Sequence, residues 1–180
     1  MNLLYLEDYD LDLQLKNRIF ALFFKYNNML TITILTDRNI FDSQCQTIVN
    51  TINCVGVMGK GLALEMKNRY PSMFEKYKEY CNRGLIDIGS LWLYKHVSGK
   101  EITKRILNFP TKKDWRNKSE YEYIEKGMEK FINTYKEKGI TSIAFPMLGC
   151  SNGGLDKEIV LQIMLKYLSK CDNLIVEIYK

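Results

Sequence analysis

The hydrophobic positions of this chain fall into short β-type runs separated by longer stretches with helical spacing. Runs rich in β-branched and aliphatic residues predict strands at Thr31–Leu35, Thr47–Asn50, Ser90–Tyr94, Arg105–Phe109, Thr141–Phe145 and Asn173–Tyr179. Gly61–Tyr70 carries Leu62, Met66 and Tyr70 at four-residue intervals, and a second helix, Ser72–Arg83, follows Pro71. Ser119, with Glu122 three residues on, reads as a capping box for a helix that reaches Lys138 and stops at Gly139. Asp156 is placed to cap a last helix, Lys157–Ser169. Strands alternating with helices predict a sheet between helical layers, with functional loops at the carboxyl ends of strands. Ahead of the first strand, Leu11–Tyr26 reads as one more helix, whose default role is to pack against the domain.

Two of the connections share a design. TIVNTINCVGVMGKGLALEM (Thr47 to Met66) and TSIAFPMLGCSNGGLDKEI (Thr141 to Ile159) each run from an apolar strand through a glycine-rich loop into a helix. Glycine lets backbone N–H groups turn toward a ligand, and the helix behind adds the positive end of its dipole. One such loop is as easily a tight turn, but two, with Gly56, Gly59 and Gly61 in one and Gly149, Gly153 and Gly154 in the other, favour anion binding and together suggest a diphosphate. Neither matches the P-loop or the Rossmann spacing. Asn50 and Asn53 flank the entrance to the first loop, where a short amide can hold a ribose hydroxyl or bond the loop's own backbone.

Composition narrows the picture. With 180 residues and 46% hydrophobic content, the chain fits one domain with a full core. The formal charge of +5 permits a polyanionic partner without demanding one. Five scattered cysteines with no CxxC pair indicate neither a disulfide framework nor a zinc site, and point to reducing cytoplasm. His96, the only histidine, argues against histidine-based metal sites and triads. The longest apolar patches, such as Ile19–Phe24, are too short to span a bilayer, so a soluble protein is expected. No carboxylate pair with acid/base spacing stands in the loops, which speaks against a two-carboxylate glycosidase.

A third strand end, KRILNFPTKKDWRNKS, carries the sharpest chemistry. The strand exits through Pro110 and Thr111 to Lys112, and a neighbouring cation such as Lys113, or a desolvating pocket, would leave part of the Lys112 amine neutral and able to attack a carbonyl-like carbon. From charge alone, phosphate binding or plain solvation by the two lysines is the simpler role. Trp115 and Arg116 beside them can stack on a base and hold a nucleic-acid backbone.

The segments VNTINCVGVMGKGLALEMK, LNFPTKKDWRNKS and IAFPMLGCSNGGLD, in this order, closely resemble the macrodomains of the DarG antitoxin class, related to terminal ADP-ribose protein glycohydrolase, over Thr31 to Lys180. The resemblance implies a macrodomain at residues 31–180 behind an N-terminal helical extension at residues 1–30, with a three-layer α/β/α fold around a mixed, mostly parallel sheet. It implies ADP-ribose in a cleft at the strand ends. Asn39 and Ile40 then match the adenine-contacting pair, with Asn50 and Cys54 at the first loop's entrance. Gly56, Val57, Met58, Gly59, Lys60 and Gly61 match the loop around the diphosphate and distal ribose. Pro110 and Thr111 adjoin the catalytic position, and Met147 with Gly149, Cys150, Ser151, Asn152, Gly153, Gly154 and Leu155 matches the second phosphate loop. Lys112 matches the catalytic lysine and Asn53 the asparagine that positions the distal ribose, while Lys113, Trp115 and Arg116 are the expected nucleic-acid contacts.

The implied activity is hydrolysis of ADP-ribose from thymidine in single-stranded DNA, by a monomer needing no metal or other cofactor, with a DarT-like ADP-ribosyltransferase as its counterpart. The carboxylate-directed relatives keep an aspartate where Gly153 stands, which favours the DNA chemistry. Typical DarG chains continue into a second, toxin-contacting domain, so neutralisation by direct toxin binding is not expected of this one. A non-catalytic ADP-ribose-binding module, or a hydrolase of ADP-ribosylated protein carboxylates or of O-acyl-ADP-ribose, is the alternative.

Overall fold

The computed structural model describes Leu4–Leu6 and residues 30–180. The expected helix at Leu11–Tyr26, and with it most of the expected extension, lies outside the described residues. Seven strands form one sheet: β1 (Leu4–Leu6), β2 (Thr31–Leu35), β3 (Thr47–Asn53), β4 (Trp92–Ser98), β5 (Glu101–Lys112), β6 (Ser142–Pro146) and β7 (Ile175–Tyr179). Their order is β1-β2-β7-β6-β3-β5-β4, and every neighbouring pair is parallel except the β4–β5 hairpin. The sheet is thus mixed and mostly parallel, as expected. Leu4–Leu6 adds an edge strand in register with Thr31–Thr33, which the helical reading of the first thirty residues did not include.

Four helices are described: α1 (Gly61–Arg69), α2 (Pro71–Asn82), α3 (Tyr121–Thr134) and α4 (Lys157–Leu168). The central strands β3 and β6 and the second half of β5 are buried on both faces because their side chains alternate between two cores. Val49, Leu107, Phe109, Ile143 and Phe145 face Ile124, Met128 and Phe131 of α3 and Val160, Met164 and Leu168 of α4. Ile48, Ile52, Ile106 and Ala144 face Met66 of α1 and Met73 and Tyr77 of α2. The result is three layers. Gly127 in α3 permits the close approach on one side, since a Cβ there would stand 2.1 Å from Cζ of buried Phe109.

Two local expectations change. The capping box at Ser119 does not form: Glu120 is the residue before α3, it makes no side-chain cap, and α3 ends at Thr134 with a turn through Gly139. Ser119 is drawn instead under the second glycine loop, where its N–H donates to the Gly153 carbonyl. β5 runs from Glu101 to Lys112 rather than Arg105 to Phe109, because hairpin pairing with β4 and parallel pairing with β3 carry the strand through its charged start and through Pro110. His96 lies within β4, edge-on to the Tyr70 ring at 5.1 Å. Asp156 caps α4 as expected, its Oδ1 accepting from the N–H groups of Glu158 and Ile159 at 2.9 and 3.1 Å.

Candidate active site

The carboxyl ends of β3, β5, β6 and β7 open onto one cleft of about 730 Å³, within the size range of small-molecule sites. Both glycine loops wall it. They touch: a Cβ on Gly61, where φ is +56°, would meet the Asn152 amide nitrogen at 3.0 Å. The two cradles therefore face the same cleft.

The first loop is organised by Asn53. Its Oδ1 accepts from the N–H groups of Val55 and Val57, its Nδ2 donates to the Val57 carbonyl at 2.6 Å, and the buried Tyr77 hydroxyl donates to Asn53 O and Oδ1 at 2.8 and 2.9 Å. Of the two roles open to this amide, bonding the loop is the one seen; one Nδ2 hydrogen remains for a ligand. Behind the loop, Lys60 precedes α1 without a side-chain cap. The N–H groups of Gly61, Leu62 and Ala63, which have no intrahelical partner, are left at the cleft wall with the positive end of the helix dipole.

The second loop is built differently. Gly149 and Gly154 take φ of +70° and +78°, and Leu155 N–H donates back to Gly149 O at 3.1 Å. A Cβ on Gly153 would lie 2.1 Å from Gly149 O and 2.3 Å from Ser119 Oγ, so the loop folds on itself only because that position is glycine. The N–H groups of Ser151, Asn152 and Gly153 make no hydrogen bond within the described protein. Asp156 caps the N-terminus of α4, taking the N–H groups of Glu158 and Ile159 and opposing the dipole's positive end with its own carboxylate, so the expected symmetry of the two cradles is incomplete.

Lys112 completes the wall. β3 and β5 pair in step from Thr47 and Arg105 as far as Ile52 and Pro110; then one residue of β5 is skipped and Asn53 stands opposite Lys112. Pro110 cannot donate to the ladder, and the bulge beside it sets the Lys112 side chain at the cleft. Its Nζ donates to Asn152 O at 2.5 Å and to Trp115 O at 3.5 Å. Burial holds the amine below the ordinary lysine pKa. Lys60, Lys112, Lys157 and Lys180 line the cleft and, among the described residues, no Asp or Glu side chain does, although Lys180 is paired with Glu158 outside it; the lining suits an anion. The nearby thiols are not nucleophiles in waiting: burial pushes Cys54 up to about 12 and Cys150 to about 11.

Asn53, Val57, Gly59, Lys60, Gly61, Thr111, Lys112, Trp115, Met147, Gly149 and Cys150–Gly153 line the cleft. Asn50 does not. It is fully buried on the α1/α2 face, donating to Asn108 Oδ1 at 2.9 Å, because the strand's alternation turns it into the core. Met58 and Ile40 are core residues, and Cys54 donates its thiol to Lys112 O. Asn39 caps a short 3-10 turn at Ile40–Asp42 by accepting from Phe41 N–H. Pro110 is part of the ladder, Gly56 and Gly154 are turn positions, and Leu155 packs on the α3/α4 core. Lys113 and Arg116 stand beside the cleft rather than in its wall. Leu62, Ala63, Pro146, Lys157, Tyr179 and Lys180 line it without having been expected. The strand-end rule applied to β7 finds the last two.

The Macro domain family model matches residues 49–164. A DNA ADP-ribosyl glycohydrolase of Mycobacterium tuberculosis is 41% identical over 141 residues, 78% of this chain and 40% of the relative. The macrodomain of Thermus aquaticus DarG superposes with a TM-score of 0.78 at 35% identity, covering 84% of this chain and 99% of that one. Thermosipho africanus DarTG, solved in complex with ADP-ribose, superposes with a TM-score of 0.75 at 32% identity, covering 97% of this chain and 52% of that one. The chain thus spans about 40% of the length of the M. tuberculosis relative. With the fold, the paired glycine loops and these likenesses together, the chain belongs to the macro domain family, among the DarG macrodomains.

Proposed function

We propose that this chain is an ADP-ribosyl glycohydrolase that removes ADP-ribose from thymidine in DNA. The observation that carries the reading is the Lys112 amine, held in the cleft wall opposite Asn53, where both glycine loops meet. In this reading the pyrophosphate lies over the free amides of α1 and the second loop, and the adenosine extends toward Tyr179 and Lys180. The distal ribose reaches Lys112. The neutral amine attacks the anomeric carbon, directly or after ring opening; the glycosidic bond breaks, and the proton shed by the amine passes to the thymine nitrogen. Water then releases ADP-ribose and restores the amine. No metal is invoked. The functional counterpart is a DNA ADP-ribosyltransferase in the same cytoplasm, against which this chain acts as antitoxin by reversing the mark.

The test is to incubate the purified protein with ADP-ribosylated single-stranded DNA and, separately, with ADP-ribosylated protein. Release from DNA is expected. Lys112→Ala should abolish release while retaining ADP-ribose binding by calorimetry; full activity in that variant removes the amine from the mechanism, and release from protein alone overturns the DNA assignment.

A further inference from the structure

Where β3 and β5 part company, two apolar side chains line the cleft beside Lys112. Pairing continues one step past Lys112, with Cys54 N–H donating to Lys113 O at 3.0 Å. Beyond it the ladder ends, with Val55–Val57 following β3 and Asp114–Asn117 following β5. Val57 and Trp115 both line the cleft, and Trp115 is 48% exposed.

A tryptophan so exposed loses hydrophobic stabilisation unless something covers it, yet its loop is tightly held. Asn117 N–H donates to Asp114 O at 3.1 Å, Arg116 N–H to Asp114 Oδ1 at 2.9 Å, and Trp115 O accepts from the Lys112 amine. The Arg116 guanidinium lies 4.4 Å from the ring centroid, covering one face, and is itself held by Asp114 at 3.3 Å. The backbone and the neighbouring cation thus fix the indole in place, while nearly half of the residue stays open beside the cleft. Val57 is fixed in turn by the Asn53 amide, on both its N–H and its carbonyl.

We infer that Val57 and Trp115 form the subsite for the leaving group, a planar nucleobase joined to the anomeric carbon, with the indole stacking on that modified base. The inference rests on the proposed glycohydrolase reading and adds to it the group that tells a nucleobase from an amino-acid side chain. A flat aromatic heterocycle matches an open indole face. Lys113, over the Tyr123 ring, and Arg116, over the indole, add positive charge to the same loop, which favours a phosphate backbone beside that base. The chemistry also benefits, because a base stacked in place holds the glycosidic bond toward Lys112 and the departing ring away from water.

The test uses Trp115→Ala and Trp115→Phe with two substrates, a single-stranded oligonucleotide carrying one ADP-ribosylated thymidine and the ADP-ribosylated thymidine nucleoside alone. Trp115→Ala should lower kcat/KM on both substrates by roughly 5- to 150-fold, the usual loss of one base–aromatic stack, and Trp115→Phe should recover most of it. ADP-ribose affinity should stay within about twofold of the wild type, so that the loss is not one of ADP-ribose binding. A loss confined to the oligonucleotide means that the indole holds a neighbouring base and overturns the proposal. So does a loss matched by ADP-ribose affinity, or no loss at all. A wild-type protein that releases nothing from either substrate instead overturns the glycohydrolase reading beneath it.

Discussion

Gly153 offers the clearest perturbation of the site. An added Cβ would stand 2.1 Å from Gly149 O, and reaching an ordinary 3.4 Å contact requires the two to separate by about 1.3 Å. That motion breaks the Leu155 N–H bond to Gly149 O and pulls Gly153 O from the Ser119 N–H. Two hydrogen bonds at about 0.5–1.5 kcal/mol each come to about 1–3 kcal/mol, which the loop must recover each time it closes on a ligand. Gly153→Ala should therefore bind ADP-ribose roughly 5- to 150-fold more weakly in calorimetry, because only the re-formed fraction is competent. Gly154→Ala is the comparison. Its Cβ meets nothing within 4 Å, and its φ of +78° costs about 1–2 kcal/mol of backbone strain. That cost should appear as a Tm lower by roughly 2 to 8 °C with affinity less affected. If Gly153→Ala binds ADP-ribose as the wild type does, or better than Gly154→Ala, the packed-loop account is wrong.

The remaining predictions concern Asn53 and Lys112. Tyr77→Phe removes the buried hydroxyl that anchors Asn53, and should cost about 1–3 kcal/mol in urea unfolding while raising KM for the ADP-ribosylated substrate; an unchanged unfolding midpoint would show the bond to be idle. Burial depresses the Lys112 pKa, so the reactive neutral form grows as pH rises, and kcat/KM should climb between about pH 7 and pH 10. A rate falling over that range would refute a neutral-amine nucleophile.

Much of the fold was legible because strands read as short runs of β-branched and aliphatic residues and helices as apolar positions three or four apart. β2 was found to the residue, and α1, α2 and α4 to within one at each end. The misses have physical causes. Arg105 and Lys104 look like a strand boundary, but their side chains reach carbonyls of neighbouring loops, so β5 begins earlier. Ser119 with Glu122 has the form of a cap, yet the serine is more useful beneath Gly153, where no side chain fits. In the site, Lys112, Asn53 and the glycines were readable because few residue types can supply an amine or a turned backbone amide. Asn50 was misplaced because a buried amide in a strand looks, in sequence, like one at a loop.

By itself the sequence determined the layers, the two glycine loops and the amine at a strand end, since each depends on local alternation, turn chemistry and side-chain type. Only the tertiary structure decided that the loops share one cleft, that Asp156 closes one helix end while the other stays open, and that a one-residue slip between β3 and β5 sets Lys112 opposite Asn53. Register and the packing of distant loops are properties of pairing partners far apart in the chain, and no local pattern encodes them.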